Sequence, residues 1–121
     1  MEIIRYSVAA CQTDNPNPVE RKQMRAGTDR MLSMIDSAVA GAAPFLPVRL
    51  VVFPEFAHSA PVFPTVAELI EKLAVRIPNE HTERLEAKAR EHGIYIQSGT
   101  MLETDARWPQ VVFNTTCLIG P

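Results

Sequence analysis

The chain has 121 residues, of which 46% are hydrophobic and 21% charged, a mixture typical of a single folded domain with its own core. The formal net charge is -2 and acidic and basic residues are interspersed, which argues against a nucleic-acid-binding surface. No apolar run approaches the ~18 residues of a membrane span, and the N-terminus does not resemble a secretory signal, so we expect a cytoplasmic location.

The first part of the sequence predicts a strand followed by a long helix. Apolar and β-forming residues run from Ile3 to Cys11, which indicates a strand. The sequence Asn15-Pro16-Asn17-Pro18 then interrupts the backbone, with Asn17 suited to cap a helix and Pro18 to begin it. The helix is predicted from Pro18 to about Ala40, with Gly41 as its terminator. Its core-facing positions are Met24, Met31, Ile35, Ala38 and Val39.

A second strand is predicted from Arg49 to Phe53, after a proline-containing loop over residues 42–47. Because its residues are continuously apolar, we expect it to be buried on both faces in a parallel or mixed sheet. Residues 56–64 are irregular. The sequence from Thr65 to Glu68 is a capping box, which predicts a short helix to about Leu73.

The last part of the sequence predicts a helix and two successive strands. The helix runs from Asn79 to His92 and ends at Gly93. A third strand begins at Ile94 and extends through Leu102, and a turn over residues 104–109 leads to a fourth strand from Val111 to Ile119. Strands that alternate with helices and then follow one another predict an α/β chain.

The histidines and cysteines do not form a recognisable cofactor site. His58, His81 and His92 are scattered, and Cys11 and Cys117 lie inside apolar stretches without metal-ligand spacing. We therefore expect two buried free thiols and no disulfide. The sequence has no phosphate-binding glycine loop. No metal, nucleotide or organic cofactor is implied.

Glu55 is the best candidate for a working residue. It follows the apolar stretch from Leu50 to Phe53, and functional groups collect beyond the carboxyl ends of strands in open α/β sheets. Pro54 restricts the backbone beside it. Partial burial would suit the carboxylate to general-base work near neutral pH. The alternative is a structural carboxylate, paired with Arg49 or capping a loop, and the residues alone leave both open.

Four segments follow one another in a characteristic order: Val8 to Gln12, Leu50 to Glu55, Ala87 to Ile96 followed by Gly99, and Phe113 to Pro121. They resemble segments of the carbon–nitrogen hydrolase family, which comprises nitrilases and aliphatic amidases. Together they span nearly the whole chain. The second resembles the strand that presents the family's catalytic glutamate, and the fourth resembles the strand before its catalytic lysine.

The resemblance implies the N-terminal half of an α-β-β-α sandwich, with residues 1–121 as the first part of a carbon–nitrogen hydrolase domain. The family uses a Glu–Lys–Cys triad, in which the cysteine attacks an amide or nitrile carbon and the glutamate is the general base. Glu55 matches the glutamate. The lysine and nucleophile regions follow the fourth strand in the family and are absent here, so Cys117 and Cys11 are assigned to the core.

The implied function is hydrolysis of non-peptide carbon–nitrogen bonds in a small amide, carbamoyl compound or nitrile, and we predict that this chain alone is inactive. The alternatives are a truncated chain or pseudoenzyme acting as a binding or scaffold module, and one half of a complementing pair. Half of a sandwich would leave an apolar sheet face uncovered, so we expect homo-oligomers or association through that face. The candidate substrate contacts are Phe56, His58 and Phe63, although a surface loop is the alternative for His58.

Overall fold

The structure is a computed structural model that describes residues 1–14 and 17–121, so the interruption predicted at Asn15 and Pro16 lies outside the described residues. Its alternating strands and helices confirm the predicted α/β class. No helix in these described ranges is long and apolar enough to cross a bilayer. The elements are β1 (Ser7–Ala10), a 3-10 turn (Arg21–Gln23), α1 (Met24–Ala42), β2 (Val48–Val52), α2 (Val66–Lys72), α3 (Glu80–His92), β3 (Tyr95–Glu103) and β4 (Phe113–Ile119).

The strands form one mixed sheet in the order β1-β2-β3-β4. β1, β2 and β3 are parallel, and β4 is antiparallel to β3. Each parallel pair requires a crossover, which α1 supplies between β1 and β2, and α2 and α3 supply between β2 and β3. The connection over residues 104–112 lets β4 return beside β3. The carboxyl ends of β1, β2 and β3 consequently lie at one edge of the sheet.

α1 and α3 cover one face of the sheet. Met31 and Ile35 of α1 and Leu85 and Ala89 of α3 are fully buried in one apolar cluster with the strands. The predicted methionine-containing face of the first helix therefore does contact the core. α3 begins at the Asn79 cap and ends at Gly93 in the left-handed conformation, as the sequence predicts.

Among residues 1–14 and 17–121, no layer covers the opposite face of the sheet over β1, β2 and the start of β3, whereas Leu102 near the end of β3 is buried under α2. Val51 is buried under the helices, whereas Leu50 and Val52, which alternate with it and face the other side, are half-buried. The prediction that β2 is buried on both faces is therefore wrong for this chain. A shallow groove of about 340 Å³ lies on this side. We call this side of the sheet the uncovered face. Its apolar side chains are Tyr6, Val8, Leu50, Tyr95 and Leu118.

β2, β3 and β4 each begin within two residues of the predicted positions, and three boundaries in the first part of the chain differ for identifiable reasons. β1 begins at Ser7 rather than Ile3, because β2 begins only at Val48 and gives the earlier residues no pairing partner. The first helical residues follow Glu20 rather than Asn17, since the Gln23 side chain accepts the Glu20 amide proton. Gly41 does not end α1, because it adopts no left-handed conformation and the helix continues to Ala42.

α2 packs beside the carboxyl end of the sheet. Its predicted cap is confirmed, because the Thr65 side chain accepts the Glu68 amide proton. At its other end, the Arg21 guanidinium donates to the carbonyl oxygens of Glu71 at 2.7 Å and Ala74 at 2.8 Å. The helix covers a small apolar cluster of Leu69, Leu73, Ala74 and Leu102, with Phe56, Phe63 and Val112 packed against it. This small cluster borders the turn that follows β2.

Candidate active site

The chain leaves β2 through a tight turn that carries Glu55. After Val52, residues 54–57 fold toward β3 instead of continuing the strand. Phe56 has a φ of 57°, which is uncommon for a residue with a bulky side chain. Its amide donates a hydrogen bond of 2.9 Å to the Thr100 hydroxyl oxygen of β3. The backbone on the carboxyl side of Glu55 is therefore tied to the neighbouring strand.

Gly99 allows this turn to approach β3 closely. Its φ is +72°, and a Cβ built there would overlap the Pro54 carbonyl oxygen, closer than the 3.0 Å that real Cβ contacts respect. The Ala57 Cβ would lie at 3.0 Å. The strand pairing also shifts register between Gln97 and Thr100. A glycine in this irregular part of β3 thus fixes where the β2 turn crosses it.

The Glu55 carboxylate is held by a residue two strands away. Its Oε1 accepts a hydrogen bond of 2.6 Å from Asn114 Nδ2. Asn114 lies on β4 opposite Leu102 of β3. Among the residues that the structure describes, none forms an ion pair with Glu55, so the alternative partner Arg49 does not hold it. Glu55 is exposed rather than partly buried.

Sequence reasoning identified Glu55 but missed the residues around it. Asn114 and Thr100 occupy strand positions, and nothing in their local sequence indicates that they reach the β2 turn. In the sequence, Gly99 stands out only as part of the third family-like segment. Their contacts depend on the strand order and on the register shift, which a pattern in one segment does not encode.

The two predicted phenylalanine contacts follow Glu55 in sequence, Phe56 directly and Phe63 in the loop before α2, and both pack against the small cluster under α2. Phe56 and Phe63 are half-buried, and Lys72 Nζ lies 4.7 Å from the Phe63 ring centroid. Beside them, a groove of about 480 Å³ runs between α2 and the β3–β4 connection. Its lining does not include Glu55, so the groove is not itself the candidate site. It is lined by Val66, Ala67, Ile70, Pro109 and Gln110.

His58 is completely buried, so the surface-loop alternative is wrong. Its ring has no exposed atom with which to contact a substrate. Within the described ranges, neither ring nitrogen has a hydrogen-bond partner. The His81 ring lies 5.5 Å away, and its Nδ1 is 2.8 Å from the Thr28 hydroxyl. Burial, together with the nearby His81, lowers the pKa of His58 to about 3.

The buried imidazole of His58 predicts loss of stability in acid. The unfolded chain protonates His58 near pH 6.5, whereas the folded chain does so only near pH 3. The loss of unfolding free energy is therefore absent above pH 6.5 and grows as the pH falls. At about 1.4 kcal/mol per pH unit, the loss reaches roughly 3 kcal/mol at pH 4. Urea unfolding between pH 7 and pH 4 measures it.

The His58→Phe variant is the comparison for this measurement. It removes one titrating group. Below pH 6.5 its unfolding free energy should therefore fall less steeply than that of the unmodified chain, by about 1.4 kcal/mol per pH unit. Equal slopes in the two proteins would contradict the assigned state of His58. The comparison uses slopes, so a difference in stability at pH 7 does not affect it.

A candidate cation site on the outside of the helices is already neutralised. Ligand atoms of Asp36, Glu91 and His92 lie within 4.8 Å of one another. The Lys88 ammonium sits 2.9 Å from the Asp36 carboxylate and 2.8 Å from that of Glu91. Hydrogen bonds from His92 and then Lys88 lower the pKa of Asp36. This group is therefore an ion-pair network between α1 and α3.

The cysteines do not have the surroundings of a nucleophile. Cys11 and Cys117 are free and half-buried, and Cys11 packs against the main core cluster. Burial raises the pKa of both thiols, so both are protonated at neutral pH. Cys11 therefore agrees with its assignment to the core, whereas Cys117 is half-buried and lines a surface groove with Ile77 and Pro78, so its predicted place in the core is wrong.

The sequence model of the carbon-nitrogen hydrolase family matches residues 7–121. Saccharomyces cerevisiae Nit3, described as a member of branch 10 of the nitrilase superfamily, superposes with a TM-score of 0.72 at 21% identity, over 93% of this chain and 39% of that one. An N-terminal amidase with an Asn-Glu-Ala peptide gives 0.70 at 19% identity, over 93% and 25%. No curated protein sequence matches.

These structural matches show the fold. The sheet and helices described here correspond to part of a nitrilase-type fold. The chain spans between a quarter and two-fifths of the length of the two solved structures. The predicted fold class is thereby confirmed.

Proposed function

Since this chain belongs to the carbon–nitrogen hydrolase family, we propose that it supplies the general base, Glu55, of an enzyme that hydrolyses amide, carbamoyl or nitrile carbon–nitrogen bonds in small molecules. The observation that carries the proposal is the fixed carboxylate at the carboxyl end of β2, tied to β3 through Phe56 and to β4 through Asn114. One carboxylate oxygen remains without a partner among the described residues and can accept a proton.

In the proposed reaction on an amide, Glu55 takes the proton of a cysteine thiol, and the sulfur forms a bond to the carbonyl carbon. The carbon–nitrogen bond then breaks, and ammonia or an amine leaves with a proton returned by the base. Water attacks the thioester with the same base assisting, which releases the acid and restores the thiol. A lysine stabilises the developing charge. The thiol and the lysine would come from outside residues 1–121.

The test compares two proteins on a panel of simple amides, carbamoyl compounds and nitriles. The 121-residue chain should show no turnover, because a missing nucleophile usually costs several orders of magnitude. A protein from the same reading frame that includes a lysine-bearing segment and a later strand-end cysteine should hydrolyse at least one class. Turnover by the short chain, abolished in Glu55→Gln, would refute its predicted inactivity, and an inactive longer protein would favour a binding or scaffold role.

We propose further that the uncovered face binds another protein surface, either a second copy of this chain or a separate chain completing the domain, in the cytoplasm. Leu118 on this face is 70% exposed, and a patch of this kind rarely stays solvated. The purified chain should therefore bind a hydrophobic dye or form oligomers in analytical ultracentrifugation. A monomer that binds no dye would count against this proposal.

The Leu118→Asp variant should reduce both dye binding and association, because it places a charge in the groove on the uncovered face. Phe45→Asp is the matched control. Phe45 is 82% exposed but lies in the loop between α1 and β2 and does not line that groove. An equal reduction by both substitutions would indicate a general effect of charge.

A further inference from the structure

We propose that Asn114 is a positioning residue for the Glu55 base. This inference rests on the proposed hydrolase function and extends it to a residue on β4. Asn114 Nδ2 donates to Glu55 Oε1 at 2.6 Å, across a separation of 59 residues in sequence. The contact bridges β2 and β4, which are not neighbours in the sheet. It therefore depends on the tertiary fold and not on a local turn.

Both ends of the contact are fixed by the backbone. On the β2 side, the turn is tied at Thr100 and packed against Gly99. On the β4 side, Asn114 is held opposite Leu102 by the antiparallel pairing. A short asparagine side chain loses less conformational entropy than a lysine or arginine side chain when it is ordered. The bond to an ionised carboxylate is also charge-assisted.

The chemistry of an amide donor suits a base. An ionised carboxylate is only an acceptor, so the amide nitrogen of Asn114 must be the donor. By engaging Oε1, the amide orients the carboxylate and leaves Oε2 without a partner among the described residues. A cationic partner such as arginine would stabilise the ionised form and weaken the base, whereas a neutral amide orients it with less loss of basicity.

The first test is an NMR titration of the 121-residue chain. The side-chain amide signals of Asn114 should shift with pH along the same curve as the Glu55 carboxyl carbon. In Glu55→Gln this pH dependence of the Asn114 amide should disappear. An Asn114 amide that does not respond to protonation of Glu55 would overturn the proposal, whether or not the longer protein is a hydrolase.

The second test measures kinetics of the longer, active protein. Asn114→Ser should lower kcat/KM roughly tenfold to a hundredfold, mainly through kcat, because a misplaced base costs rate more than binding. Asn114→Asp keeps the shape but places two carboxylates together, so the rise of rate with pH should move to higher pH. A merely structural role would leave the pH profile in place.

Thr116→Val is the matched control. Thr116 lies on β4 two residues from Asn114, is also exposed, and accepts from Gln97 rather than contacting Glu55. Its pH profile should match that of the unmodified protein. Asn114 variants with unchanged pH profiles and rates would overturn the positioning role. If the longer protein has no hydrolase activity, the proposed function fails and the catalytic role of Asn114 fails with it, even where the NMR contact is observed.

Discussion

The Glu55→Gln variant of the longer, active protein is expected to lose a factor of about 10² to 10⁴ in kcat. This is the usual contribution of a general base and equals roughly 3–5 kcal/mol of transition-state stabilisation. Glutamine has nearly the same shape as glutamate, and its amide oxygen can still accept from Asn114 Nδ2. The loss should therefore come from proton transfer and not from a displaced turn. Steady-state kinetics on the best substrate of the panel measures it.

Glu103→Gln is the matched control for this variant. Glu103 lies on β3 and its carboxylate accepts from the Thr115 hydroxyl at 2.6 Å, so it is another hydrogen-bonded acid at the same end of the sheet. Its kcat should stay close to that of the unmodified protein. Urea unfolding midpoints of both variants should also be similar. A Glu55→Gln protein that keeps its kcat within about threefold would exclude Glu55 as the base.

The Gly99→Ala variant is expected to unfold the chain or destabilise it by about 5 kcal/mol or more, in the range that marks severe structural conflict. Two costs combine. Alanine is strained at a φ of +72°, and its Cβ would overlap the Pro54 carbonyl oxygen, which belongs to backbone and cannot move aside without moving the turn. Urea unfolding followed by circular dichroism measures the loss.

Two other glycines separate these costs. Gly93 has a φ of +62° but open space around its Cα, so Gly93→Ala should cost only about 1–2 kcal/mol from backbone strain. Gly41 lies in α1 with no atom near the added Cβ, so Gly41→Ala should be neutral or stabilising by up to about 1 kcal/mol. If Gly99→Ala lowered the unfolding free energy no more than Gly93→Ala does, the close approach of the β2 turn to β3 would be contradicted.

The sequence predicted the helices and strands well where local chemistry decides them. The Asn79 cap and Gly93 terminator bounded α3 correctly, and the threonine cap of α2 was also predicted. The position of Gly41 misled the prediction for α1, since a glycine near the end of a helix ends it only in the left-handed conformation. The length of β1 also could not be read locally, because it depends on where β2 begins.

The candidate site was predictable only in part. Glu55 could be singled out because an acid at the end of an apolar strand is unusual. His58 could not be placed, because a polar ring in a loop is usually exposed, and its burial depends on tertiary packing that includes His81 of α3. The partner of Glu55 could not be predicted either, because it also depends on tertiary packing. Arg49 is near in sequence and opposite in charge, but β4 brings Asn114 closer in space.

The mixed sheet also constrains the order in which the structure can assemble. β3 and β4 are joined by residues 104–112 and can pair as a hairpin early, whereas β1 and β2 must close a loop that contains all of α1. Asn114 would then be in place before the β2 turn arrives. We therefore expect the Glu55 carboxylate to bind Asn114 late in folding, after the β3–β4 hairpin has formed.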